Sequence, residues 1–167
     1  MRHPILGVLA LLLPCLLGAC QQYDITVNER RVYTPLPLFT DFTAVDPALQ
    51  TCLENAIDRE KISSASQLQE LSCRNAGIRV LNGLATFSSL RTLDLGNNEI
   101  ENIDELAEVI NLEAVYLANN RIVDPLPLSE LQALNSVDLA GNGTLRCPDR
   151  QALLRASHLR LPTHCDR

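Results

Sequence analysis

The chain has little of what most functional classes need. Of 167 residues only 14 are Lys or Arg, against 20 Asp or Glu, and the formal net charge is -6. A nucleic-acid binder meets phosphates with a Lys/Arg surface, so that class is excluded. There is no tryptophan. No G-x-S-x-G, P-loop, H-E-x-x-H or Gly-rich dinucleotide turn occurs. The chain therefore reads as non-enzymatic, with no catalytic residue and no cofactor. No C-x-x-C pair is present either, which leaves a zinc ribbon or a thioredoxin-like dithiol without support.

One apolar run stands out, Ile5 to Leu17. It is short for a bilayer span and Pro14 interrupts it. It closes on Leu17-Gly18-Ala19-Cys20, which resembles the lipobox of bacterial lipoprotein signal peptides. The resemblance implies that residues 1–19 are a signal peptide and that Cys20 carries a diacylglyceryl thioether. The membrane would then be met through the lipid on Cys20, each buried CH₂ contributing about 0.8 kcal/mol. Gln21 stands where an Asp would retain an enteric-type lipoprotein in the inner membrane. The expected address is the bacterial cell envelope, at the outer membrane. A plain secretory signal cut at the same place would instead leave Cys20 as a free thiol.

Export frames the other cysteines. Cys15 leaves with the signal, and Cys52, Cys73, Cys147 and Cys165 remain, an even number that reads as two disulfides in an oxidising compartment.

The rest of the chain is organised by a period. LQELSCRNAGI, LRTLDLGNNEI, LEAVYLANNRI and LNSVDLAGNGT begin at Leu68, Leu90, Leu112 and Leu134, 22 residues apart each time. The shared pattern, L-x-x-L-x-L-x-x-N-x-I, resembles the leucine-rich repeat, and the 22-residue period resembles its internalin-like class. The resemblance implies an α/β solenoid: parallel strands on a concave side, a convex side of 3₁₀ or irregular turns, and capped ends. Residues 68–144 form four units. Slots 4 and 6 point inward, with Leu71/Cys73, Leu93/Leu95, Val115/Leu117 and Val137/Leu139. Slot 9 holds Ala76, Asn98, Asn120 and Asn142, an asparagine ladder broken at the first unit. Leu84, Leu106 and Leu128, then Phe87, Val109 and Leu131, return the chain over the convex side. Pro125 and Pro127 oppose a long helix there.

Residues 46–67 read as an N-terminal cap. Asp46 is an N-cap, Pro47 the first helical residue, and the apolar spacing supports a helix over 47–59. Residues 145–167 read as a C-terminal cap. Pro148 opens it, and Ala152, Leu153, Ala156 and Leu159 give a helix-like stripe. Strand spacing separates Cys73 from Cys147 by three steps of about 4.8 Å. A disulfide needs Cα atoms within about 7 Å. The spacing thus selects Cys52–Cys73 and Cys147–Cys165.

Residues 20–45 carry the anchor and a tail with Tyr23, Tyr33, Phe39 and Phe42. A hairpin turning at Asn28-Glu29 fits the alternation before it. The tail can pack on the cap, serve as a tether, or dock a partner. His164 beside Cys165 could suggest a metal, but paired cysteines leave no thiolate, and no metal is expected. The acidic run Glu99, Glu101, Asp104, Glu105 and Glu108 lacks the rhythm of a calcium loop and reads as a solvated flank.

The candidate binding surface is the concave face. It presents Glu70, Thr92, Ala114 and Ser136 in slot 3, Ser72, Asp94, Tyr116 and Asp138 in slot 5, and Arg74 in slot 7 beside small residues. Tyr116 between Asp94 and Asp138 is the expected anchor, its negative surroundings selecting a basic partner. The function read from this is a lipid-anchored envelope module that binds a protein or a glycan. The alternatives are a bland solvated sheet face and an envelope scaffold that makes contacts through its caps and tail. Oligomeric state is not legible.

Overall fold

The computed structural model describes residues 25–34, 36–148 and 156–165. The signal peptide, the lipobox with Cys20, and Ala152 and Leu153 of the C-terminal stripe lie outside the described residues. The chain divides into two units, one ending at Leu36 and the other beginning at Pro37.

In the first unit β1 (Ile25–Val27) and β2 (Arg30–Tyr33) pair antiparallel. Asn28 and Glu29 between them both have positive φ, 49° and 60°. That backbone lets a two-residue turn follow the strand twist.

The second unit is built on a five-stranded parallel sheet: β3 (Glu70–Ser72), β4 (Thr92–Asp94), β5 (Ala114–Tyr116), β6 (Ser136–Asp138) and β7 (His158–Arg160), in that order. The register is unbroken, Glu70, Thr92, Ala114, Ser136 and His158 pairing in turn. A 22-residue unit places the same slot opposite itself, so apolar slots stack. Leu71, Leu93, Val115 and Val137 are buried, as are Cys73, Leu95, Leu117 and Leu139. Short 3₁₀ turns at Leu84–Phe87, Asp104–Glu108 and Leu126–Glu130 form the return. They bury Leu84, Leu106 and Leu128 behind the sheet, with Phe87, Val109 and Leu131. In the fourth unit the pattern slips by one: Thr144 is exposed and Leu145 fills the core in its place. Thr144 Oγ1 instead donates toward the carbonyls of Arg121 and Ile122.

Polar groups at the turn after each strand are satisfied by the ladder. Asn120 Nδ2 donates to the carbonyls of Leu95 and Leu117, both at 3.0 Å, and its Oδ1 accepts from Ile100 N. Asn98 and Asn142 repeat the arrangement one unit before and after. Each side chain bonds to its own unit and to the preceding one, which stitches neighbours together without leaving a buried donor unpaired. Ala76 needs no such bridge to a preceding repeat. A left-handed residue precedes the ladder in every unit: Asn75, Asn97, Asn119 and Gly141 have φ of 56°, 59°, 58° and 77°. At Gly141 a Cβ would lie 2.1 Å from Asn119 Oδ1, so a side chain there would have to displace that amide.

The N-terminal cap is α1 (Pro47–Glu60). It buries Leu49, Leu53, Ala56 and Ile57 against the first repeat, residues 68–89. Cys52 is joined to Cys73. Before the helix, residues 37–45 form a strap. Phe39 and Phe42 stack together and meet the edge and face of Phe87, centroids 5.2–5.9 Å apart. Gly83 lets the strap close in: its φ is 101°, and a Cβ would fall 2.3 Å from the Thr43 carbonyl.

The C-terminal end departs from the helix-like stripe. Ala156 and Leu159 do not belong to a helix there, because His158–Arg160 is the fifth strand, paired with β6 through Leu159 and Val137. Apolar residues spaced three apart suit a helix face. Leu159 and Leu161, spaced two apart, suit a strand and occupy the inward slots of a fifth unit. Cys147 is joined to Cys165, which follows this strand in a 3₁₀ turn.

Candidate functional site

Strand alternation turns one residue of each central triplet inward and leaves its neighbours on the concave face. Down the middle column run Ser72, Asp94, Tyr116, Asp138 and, contributed by β7, Arg160. Glu70, Ser72 and Arg74 are exposed; Thr92, Asp94, Tyr116, Ser136 and Asp138 are half-buried. Arg74, Asp94, Tyr116, Ala118, Asn119, Asp138, Ala140 and Arg160 line a shallow recess of about 520 Å³.

Two ion pairs frame the tyrosine. Arg74 Nη1 lies 2.9 Å from Asp94 Oδ2 and 3.1 Å from its Oδ1. Arg160 Nη1 lies 3.0 Å from Asp138 Oδ2. The inner oxygens are held from below: Gly96 N donates to Asp94 Oδ1 and Ala140 N to Asp138 Oδ1, each at 3.0 Å. Tyr116 therefore sits between two carboxylates, as its column requires, but not in a negative field. Each of the two carboxylates expected to select a basic partner already has a guanidinium of its own, so such a partner would have to displace Arg74 or Arg160. The helix-like stripe of Ala152, Leu153, Ala156 and Leu159 gives no reason to expect Arg160 in the column. The signal for β7 was present: Ala156, Leu159 and Leu161 lie 22 residues beyond Leu134, Val137 and Leu139.

Small residues give the recess its floor. Gly96, Ala118 and Ala140 share slot 7, and a Cβ on Gly96 would stand 3.1 Å from Arg74 Nη1. Beside them Asn119 Nδ2 donates to Asn97 Oδ1 at 2.8 Å. This makes a second, outer asparagine contact along the rim.

Two other clusters resolve into structural roles. Ligand-capable atoms of Cys147, His164 and Cys165 lie within 4.8 Å of one another. The two sulfurs are spent on the disulfide, and His164 Nε2 is 2.9 Å from the Leu145 carbonyl, to which it donates. In the acidic run, Glu99 bridges Arg79 at 3.0 Å and Arg121 at 3.3 Å. Glu105 accepts from the backbone N–H groups of Gly83 and Ala85 in the preceding unit. The flank is thus partly a set of contacts between units, with Glu101, Asp104 and Glu108 left exposed.

Comparison with known proteins places this geometry. Residues 66–108 match the family model described as leucine rich repeats (2 copies). No curated protein matches the chain. Among solved structures, an internalin (inlF) from Listeria monocytogenes superimposes with a TM-score of 0.61 at 19% identity, over 71% of this chain and 36% of that one. An internalin C2 (inlC2) from the same organism does so with a TM-score of 0.58 at 21% identity, over 70% of this chain and 53% of that one. This chain therefore spans about a third of the first and about half of the second. The repeat match, the parallel sheet and these likenesses make the fold that of a short, internalin-like leucine-rich repeat solenoid.

Proposed function

We propose that the chain is a lipid-anchored protein of the bacterial envelope whose repeat face binds a protein or a glycan and catalyses nothing. The observation that carries the binding reading is the column Asp94–Tyr116–Asp138, bracketed by Arg74 and Arg160 over a floor of small residues. Aromatic and arginine side chains held on a rigid scaffold are the residue types that dominate recognition. The anchor and the outer-membrane address rest on Leu17-Gly18-Ala19-Cys20 and Gln21. The scaffold alternative gains little from the tail, where Phe39 and Phe42 are committed to Phe87.

A photo-crosslinking residue at Ser72 in the full-length chain tests the binding reading in cells. It should capture a partner, and Tyr116→Ala in the same chain should lose it. Capture unchanged by Tyr116→Ala would refute the concave face. Lipid labelling tests the anchor separately: Cys20→Ser should abolish it and release the protein from membranes.

A further inference from the structure

The proposal here rests on the concave-face reading and names the chemistry of what that face takes. We propose that the recess around Tyr116 binds an uncharged oligosaccharide segment, through hydroxyl pairs and one sugar face.

Charge comes first. The two carboxylates and two guanidiniums lining the recess sum to zero, and each opposite pair is in contact. Asp94 and Asp138 are further tied by the backbone N–H groups of Gly96 and Ala140. A cationic ligand would compete with an arginine already in place, and an anionic one with an aspartate. A neutral ligand competes with neither.

Hydrogen bonding comes second. Each guanidinium has five N–H donors. Among the described residues, Arg74 and Arg160 each reach their aspartate through Nη1 alone. Their outer N–H groups remain as donors beside a carboxylate, which remains an acceptor. Donor and acceptor thus sit side by side, at both ends of the recess and along Asn119 at its rim. Adjacent hydroxyls on a sugar ring, each both donor and acceptor, satisfy such pairs directly.

Apolar surface comes third. A stable protein interface needs buried aromatic or aliphatic anchors within about 1,200–2,000 Å². Among the described residues, the exposed large apolar ones are Leu36, Val45, Val80, Ile110, Val123 and Leu126, and none lies in the outward strand slots. The concave face offers one phenol ring, half-buried Tyr116, above Ala118 and Ala140, with the exposed imidazole of His158 in slot 3 of β7. One flat ring beside a small-residue floor suits the C–H face of a single sugar and is meagre for a protein. The open recess of about 520 Å³ has the size of a small-ligand site, and a chain can pass through it.

The test titrates the full-length chain in detergent with a panel of neutral oligosaccharides and their sulfated or uronic acid counterparts, by calorimetry. At least one neutral member should bind, with affinity changing less than about twofold between about 50 and 500 mM salt, since no net charge is being screened. Tyr116→Ala and Arg160→Gln should each weaken it by about tenfold or more, while Leu126→Ala on the convex side leaves it unchanged. Preference for the anionic members with steep salt dependence, or neutral binding indifferent to Tyr116→Ala, overturns the proposal. If no saccharide binds while crosslinking at Ser72 still captures a protein that Tyr116→Ala loses, the glycan is refuted and the binding face stands. If Tyr116→Ala changes neither saccharide binding nor crosslinking, both readings fall.

Discussion

Asp46 Oδ2 accepts the backbone N–H of Arg79 at 2.8 Å. Its other oxygen accepts from Ala48 N at 2.8 Å, at the start of α1. One carboxylate therefore ends the capping helix and fastens that helix to the loop leaving the first strand. Leu49 N and Val80 N complete its shell. An ordinary N-cap secures a helix; this one also secures the junction between helix and solenoid.

Asp46→Asn should separate the two roles. The retained amide oxygen can still cap α1, but the new NH₂ group faces N–H donors of Arg79 and Val80. The expected loss is about 1–3 kcal/mol, read as a lower Tm. The effect is pH-dependent. Burial raises the Asp46 pKa, but the N–H groups of Arg79, Ala48, Val80 and Leu49 together outweigh it and hold the value below 3.8. A depressed carboxyl contributes stability above its unfolded pKa and loses it as pH falls through the folded one. The Tm gap between wild type and Asp46→Asn should be full at about pH 5 and should close below pH 3.8. A gap constant down to pH 2 would contradict the clamp.

Asn120→Ala leaves Ile100 N without its acceptor in the buried turn and takes one of two donors from each of the Leu95 and Leu117 carbonyls, which keep Asn98 and Asn142. It should cost at least about 2 kcal/mol in chemical denaturation. Asn98→Ala should cost a similar amount, and an alanine at either position without loss would remove the ladder as a stabilising element.

Leu117 is fully buried in the same slot as Leu95 and Leu139. Leu117→Ala should cost about 2–5 kcal/mol, because the strands on both sides resist collapse into the cavity. The unfolding midpoint in urea reads the loss directly.

The second disulfide should matter for binding as well as stability. Cys147–Cys165 closes a loop of 18 residues that contains β7 and hence Arg160. Replacing both cysteines by Ala should cost about 3 kcal/mol. It should also weaken ligand capture although no recess residue has changed, because Arg160 loses its fixed place beside Asp138. Capture equal to wild type would mean that β7 holds its position without the bond.

Much of this was legible because a period of 22 residues forces like slots to stack, so a written column becomes a physical one. Leu93 over Val115, or Asp94 beside Tyr116, needs no more than counting. Two things escaped it. Ala156, Leu159 and Leu161 keep the spacing, yet His164 replaces the ladder asparagine, and the preceding stripe of Ala152 and Leu153 fits a helix as well. Arg74 reaches Asp94 diagonally, from slot 7 of one unit to slot 5 of the next. Side-chain length and direction decide that contact, and columns of equal slots do not contain it. With Arg74 counted only in its own slot and Arg160 outside the column, the site reads as acidic; the two contacts balance it.

The two disulfides sit at opposite ends of the array, and no cysteine lies between Cys73 and Cys147. A linear array without such staples opens from its ends, where a unit has a neighbour on one side only. Here the terminal units are the ones held by covalent bonds. Amide exchange should then run against the usual gradient, with the slowest protons at the end strands β3 and β7 as well as in the centre. Under reducing conditions the slowest protons should retreat to β4 and β5. The oxidation state of its surroundings would set whether the solenoid exchanges as one block or frays inward from both edges.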